Sequence, residues 1–168
     1  MKKILLLNPE GATNKKVKEF QVREAVRAIV LNEDNKVALL RVLKYDYYKI
    51  PGGGIEKDED RITALKRECF EEIGAEIEIV GEVGMIVEYR KSFNLKQTSY
   101  CYLAKLKGKS GNSKFTKDEI QDKFEPIWLS YKEALRKFSI NTTSFEGRVY
   151  IMPREYAFLK EARKLIKS

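Results

Sequence analysis

Glu68, Glu71 and Glu72 stand at i, i+3 and i+4 within the segment GGIEKDEDRITALKRECFEEIGA, which runs from Gly53 to Ala75. Ile62, Leu65, Cys69 and Ile73 recur at helical spacing in the same segment, and Gly74 offers a stop, so a helix is expected here. At about 100° per residue the apolar set falls on one narrow face and the glutamates within an arc of about 100° beside it. Like charges so close together weaken an isolated helix. A divalent cation among them removes the repulsion, and an all-oxygen ligand set suits hard Mg²⁺ or Mn²⁺. The chemistry open to such a group is hydrolysis at phosphorus, with the metal neutralising phosphate oxygens and a carboxylate orienting or deprotonating the attacking water. Just upstream, Pro51-Gly52-Gly53-Gly54 is a tight turn. Glycine lets backbone carbonyls approach an ion, which makes Gly53 a further candidate ligand.

Gly53, Glu59, Arg67, Glu68, Glu71, Glu72 and Gly74 fill every fixed position of the pattern G-x5-E-x7-R-E-U-x-E-E-x-G-U, where U is a bulky apolar residue. That pattern is the signature of Nudix hydrolases, which this stretch closely resembles. The U positions hold Cys69 and Ala75, smaller than the residues usual there. The resemblance implies an α+β fold, the α/β/α sandwich with a mixed sheet between helices. It implies Mg²⁺- or Mn²⁺-dependent cleavage of a nucleoside diphosphate linked to a further group. Glu68, Glu71 and Glu72 become catalytic metal ligands, with Glu68 favoured as base and Glu72 as ligand. Glu59 and Arg67 become an ion pair fixing the helix against the loop, and Gly74 belongs with them to the structural part. Members of the family often recruit one more carboxylate late in the chain, for which Glu119 and Glu125 are candidates. A nucleoside di- or triphosphate, an oxidised purine nucleotide included, is the leading substrate, and the 5′ end of RNA is the alternative. A non-catalytic nucleotide-binding domain is a third reading; such a domain has little reason to keep three mutually repelling carboxylates.

The composition narrows the chemistry further. The chain has no histidine, which excludes His-based acid–base catalysis, His-containing triads and most zinc sites. Cys69 and Cys101 lie in apolar patterns and are expected as buried thiols in a reducing cytoplasm. Lys and Arg outnumber Asp and Glu by 33 to 25, a net charge of +8 that favours polyanionic partners such as nucleotides and RNA. No apolar run approaches the roughly 18 residues of a membrane span, and the apolar run after Met1-Lys-Lys is too short for a signal peptide. Residues 1–168 read as one globular domain, with homodimerisation left open.

The elements that must position these residues follow from periodicity. Strands are expected at Ile4–Leu7, Gln21–Leu31, Lys36–Leu43 and near Tyr45–Ile50, with a polar loop over Ala12–Lys18. After the helix come two strands, Glu76–Glu82 and Val83–Tyr89, then Gln97–Leu106 pairing back as an antiparallel hairpin. Thr116–Glu119 and Ser130–Glu133 have the form of capping boxes opening short helices, with a strand at Phe124–Leu129 between them and Trp128 in the core. Pro153 suits the first turn of a last helix that packs through Tyr156, Leu159, Ala162, Leu165 and Ile166. Candidate phosphate contacts are Arg27, Arg41, Lys44 and Lys49 on strands before the box and Arg90 at the hairpin end. Tyr45, Tyr47, Tyr48 and Phe93 are candidates to stack on a base.

Overall fold

The computed structural model describes residues 1–166 and bears out the sandwich. The last two positions of the expected domain, Lys167 and Ser168, lie outside the described residues. Seven strands form one mixed sheet: β1 (Lys3–Leu7), β2 (Gln21–Leu31), β3 (Val37–Val42), β4 (Tyr47–Lys49), β5 (Glu76–Arg90), β6 (Leu95–Lys107) and β7 (Phe124–Leu129). Their order is β1-β5-β6-β2-β3-β4, with β7 also paired to β3. The β1–β5 and β2–β6 pairs are parallel and the others antiparallel. The helices are α1 (Asn14–Val17), α2 (Arg61–Ile73), α3 (Lys117–Gln121), α4 (Tyr131–Lys137) and α5 (Met152–Ile166).

β2 shows why the sheet sits between two layers. Its residues from Ala25 to Leu31 are all buried. Val26, Ala28 and Val30 pack with Ala64, Leu65, Cys69 and Ile73 of α2. The alternate residues Ile29 and Leu31 pack with Phe138, Met152, Phe158, Leu159 and Ala162 on the other face. A strand covered on both faces reads as a continuous apolar run. Arg27 interrupts that run and is buried all the same. β2 and β3 share a single pair, Leu31–Val37, before they part. The edge of β2 thus freed is taken up by the glycine turn, with Val26 N donating to Gly53 O and Ala28 N to Pro51 O, both at 2.9 Å. The cleft described below opens at this split.

Several expectations need correction. Ala12–Lys18 is not all loop: Thr13 caps the single-turn α1 by accepting from Lys16 N. The two strands after α2 are one, β5, whose register shifts around Gly81 and Gly84 only looked like a break. Ile62 is 37% exposed, and Ala64 takes its place on the buried face of α2. On α5, Leu165 is exposed, whereas Arg154 and Glu155 are buried. Trp128 is half-buried against the α2-side core. Both capping boxes form, on Thr116 and on Ser130. Cys69 and Cys101 are buried free thiols. No helix among the described residues is long and apolar enough to cross a membrane.

Candidate active site

α2 begins at Asp60, whose side chain accepts from Thr63 N at 2.8 Å, and ends at Gly74 in the left-handed conformation, φ 60°. Between these caps the helix turns Glu68 and Glu72 toward the glycine turn. Ligand oxygens of Glu68, Glu72 and Glu119 lie within 4.8 Å of one another. Glu119 comes from α3, where the capping box places it, its carboxylate accepting from Thr116 N at 2.8 Å. Glu71 is not part of this group: its carboxylate accepts from Arg67 Nη1 at 3.2 Å, on the more exposed side of the helix.

Glu72 is almost fully buried, with Lys49 Nζ donating to Oε1 at 2.9 Å and Gly52 N to Oε2 at 2.6 Å. Burial, helped by the charge of Glu68, outweighs Lys49 and pushes its carboxyl up to about 7. Two glycines make the approach of turn and helix feasible. Gly52 has φ 137°, and a Cβ there would strike the Val26 carbonyl. Gly53 has no unusual φ, but a Cβ would run into the Glu68 carboxylate. Its carbonyl, expected as a metal ligand, accepts from Val26 N. The two positions differ in what must yield, backbone at one and a side-chain tip at the other. Gly53→Ala should therefore keep the melting temperature within a few degrees while lowering kcat by about tenfold or more through a displaced Glu68. Wild-type turnover in that variant would contradict the placement of Glu68.

Arg67 ties the helix to the preceding loop. Nε and Nη2 donate to the two oxygens of Glu59 at 2.8 and 3.0 Å, Nη1 to Glu68 at 2.9 Å, and Nη2 to Gly54 O at 3.2 Å. Its guanidinium holds Glu59 below the ordinary carboxylate range. The far end of α2 is held by the loop before α3. Gly111 N donates to Gly74 O at 2.7 Å, Ser113 Oγ to Glu72 O at 2.7 Å and Lys114 N to Glu71 O at 2.6 Å. Gly74 is thus a cap and also a contact surface, since a Cβ there would strike Gly111.

Facing the carboxylates is a wall of cations. Arg23, Arg27, Lys49, Arg90 and Arg154 line the same cleft of about 280 Å³, together with Gly52–Gly54, Tyr47, Phe124 and Glu146. Arg27, Lys49, Arg90 and Glu119 were expected in the site and line it. Arg41 and Glu125 do not: they sit opposite one another across β3 and β7, outside the cleft lining. Lys44 pairs with Asp122 at 2.8 Å in an exposed position, Tyr48 is in the core, and Tyr45 and Phe93 are exposed outside the cleft lining. Arg23 and Arg154 were missed. Arg23 precedes the apolar run of β2, and Arg154 lies on the polar-looking side of α5, so neither stood in an apolar pattern that would mark it.

The raised carboxyl of Glu72 makes a prediction for the metal-free protein. Its folded-state value lies above the ordinary 4.5, so the folded protein holds a proton that the unfolded chain releases between about 4.5 and 7. The stability from this group is complete below pH 4.5 and is lost as pH rises through about 7, by roughly 3 kcal/mol for a shift of this size. Glu10, Glu59, Asp60 and Glu88 are shifted down and act in the opposite direction at lower pH. Thermal melts in chelator should therefore fall from pH 5 to 8, and a flat profile would contradict a buried Glu72.

Comparison with known proteins places this geometry. The NUDIX domain family matches residues 21–147, which takes in β2, the box, α3 and Glu146. An RNA pyrophosphohydrolase of Pelagibacter ubique is 34% identical over 77 residues, 44% of this chain and 49% of that protein. A diphosphoinositol polyphosphate phosphohydrolase 2 of Rattus norvegicus is 28% identical over 50% of this chain and 45% of its own length. The chain thus spans about half the length of these curated relatives. Among solved structures, a NUDIX hydrolase from Nitrosomonas europaea superposes with TM-score 0.67 at 17% identity, covering 86% of this chain and 90% of that one. The MutT protein from Methanosarcina mazei gives 0.63 at 18% identity, over 89% and 99%. With the family pattern spanning most of its length and its carboxylates brought to the glycine turn, the chain belongs to the NUDIX domain family.

Proposed function

We propose that the protein is a divalent-metal-dependent pyrophosphohydrolase that cuts a phosphoric anhydride in a nucleoside di- or triphosphate. The observation that carries this reading is the meeting, in one cleft, of three carboxylates from α2 and α3 with five cationic side chains from β2, β4, β5 and α5. The donor set is all oxygen and closely gathered, which fits Mg²⁺ or Mn²⁺ held by Glu68, Glu72 and Glu119. When bound, such an ion would draw charge from the phosphate oxygens and favour attack by water.

The protein's own groups divide the remaining work. Both oxygens of Glu72 accept protein donors, which suits it to a fixed ligand. Glu68 receives Arg67 on Oε1, and its Oε2 accepts no hydrogen bond among the described residues. That free oxygen suits Glu68 to orient the attacking water and take its proton. Arg27, Arg90 and Lys49 neutralise the phosphate chain as negative charge shifts to the leaving group. The 5′ end of RNA is the second reading, favoured by the named relatives and by the net charge of +8.

Incubation with Mg²⁺ and a panel of nucleoside di- and triphosphates, oxidised purine nucleotides and 5′-triphosphorylated RNA should release phosphate or pyrophosphate from at least one. Tight binding with no release from any would mark a nucleotide-binding domain without catalysis.

A further inference from the structure

The cationic wall is organised by one buried carboxylate. Glu88 of β5 is fully buried and accepts from Arg90 Nη2 at 2.8 Å, Arg154 Nη1 at 3.2 Å and Gln97 Nε2 at 2.9 Å. Gln97, also fully buried, accepts Arg23 Nη1 on its own Oε1 at 3.3 Å. Guanidiniums from β2, β5 and α5 are thereby set from a single point. Burial would raise the carboxyl of Glu88, but Arg154 and Arg90 outweigh it and hold it below the ordinary value, so the anchor stays charged. Glu155 holds Arg154 from the other side, accepting from Nη2 at 2.6 Å. Arg23 feels both Glu68 and the Arg90–Arg154 pair, which places it between the two halves of the cleft.

Two features say what this wall receives. Nε of Arg154 and Nε of Arg27 are buried and make no hydrogen bond among the described residues. Buried donors are costly to leave without an acceptor, and guanidinium donors suit phosphate oxygens. The cleft, at about 280 Å³, is also at or below the low end of ligand sites, which run roughly 300–1,000 Å³. Its aromatic surface is limited: Lys49 Nζ stands 5.1 Å over the Phe124 ring, and Tyr47 is stacked with Tyr45 at 6.4 Å. The enclosed space is built for phosphate, and a base has little to stack on inside it.

We infer that Arg23, Arg90 and Arg154, held by the positioning residues Glu88 and Gln97, grip the phosphate chain beyond the bond that is cut. The site then reads the number of phosphates and is indifferent to the base. This rests on the hydrolase reading above and assigns it a substrate class, a terminal 5′-triphosphate, a chemistry shared by free nucleotides and RNA ends.

Kinetics with GTP, ATP, UTP, GDP and ADP, and with an RNA oligonucleotide carrying a 5′-tri- or 5′-diphosphate, test it. We expect kcat/KM to favour triphosphate over diphosphate by about tenfold or more, and to vary among bases by less than about threefold. Arg23→Ala, at an exposed position, should bring the phosphate preference close to parity by raising KM for triphosphates, and Glu88→Gln should do the same if it folds. A preference kept in folded Arg23→Ala, or a base preference larger than the phosphate preference, overturns the inference. The better of the free and RNA arms identifies the source of the chain, and a triphosphate preference in either supports the clamp. Calorimetry with inorganic tripolyphosphate and pyrophosphate reads the same clamp without turnover. The wild type should bind tripolyphosphate about tenfold tighter, and Arg23→Ala should lose the difference. Equal binding overturns the clamp whatever the protein hydrolyses. Tight tripolyphosphate binding in a protein that hydrolyses nothing upholds the clamp and removes only the hydrolase reading.

Discussion

Glu72→Gln should lower kcat by about 10²–10³-fold or more, the scale on which a preorganised charged group at a phosphoryl site acts. The substitution keeps shape and volume, and a glutamine can still accept one hydrogen bond where Glu72 now accepts from Lys49 Nζ and Gly52 N. What it removes is the negative charge nearest the centre of the carboxylate group. Metal affinity should fall with it, and high Mg²⁺ should restore only part of the rate. The variant should also lose the decline in metal-free stability between pH 5 and 8, because the group that titrates near 7 is gone. Activity and melting behaviour thus move in opposite directions, which a general loss of folding cannot imitate. Wild-type turnover at saturating Mg²⁺ would remove Glu72 from the mechanism.

The second large effect is expected at Arg67. Its side chain is 24% exposed, while Glu59 and Glu68, which it serves, are 9% and 10% exposed. Arg67→Ala strips the cation from both and leaves the glutamates of α2 repelling one another at close helical spacing. Removing one partner from a largely buried ion pair costs about 3–5 kcal/mol, a large share of the roughly 5–15 kcal/mol that holds a domain together. Urea unfolding should show a much lower midpoint, and activity should fall with it. Arg67→Lys should fall between, since one ammonium cannot bridge both oxygens of Glu59 and still reach Glu68 and the Gly54 carbonyl. An Arg67→Ala protein as stable as the wild type would refute the tie between helix and loop.

Much of this architecture was legible because local signals agreed. β2 begins and ends where its pattern does, both capping boxes close as their spacing predicts, and the Glu59–Arg67 pair forms across the turn. The failures have specific causes. β5 was split in two because glycines at 81 and 84 resemble a turn, yet in a paired strand they mark bulges. Periodicity on α5 records apolar residues alone, so a helix that buries Arg154 and Glu155 against Glu88 and Arg27 looks solvent-facing at those positions. Spacing could not choose between Glu119 and Glu125. The choice is made by the capping box on Thr116 and by the pairing of β7 with β3, which sets Glu125 opposite Arg41.

The loop from Gly108 to Thr116 is fastened by its backbone to the end of α2 and then delivers Glu119. The signature stretch, for all its diagnostic value, is therefore an incomplete reagent. A graft of residues 53–75 onto another scaffold would carry two of the three gathered carboxylates and lack the third. Lengthening the connection by even a residue would leave the family pattern untouched while detuning the enzyme, so divergence in metal preference among relatives should be sought in this linker as much as in the signature itself.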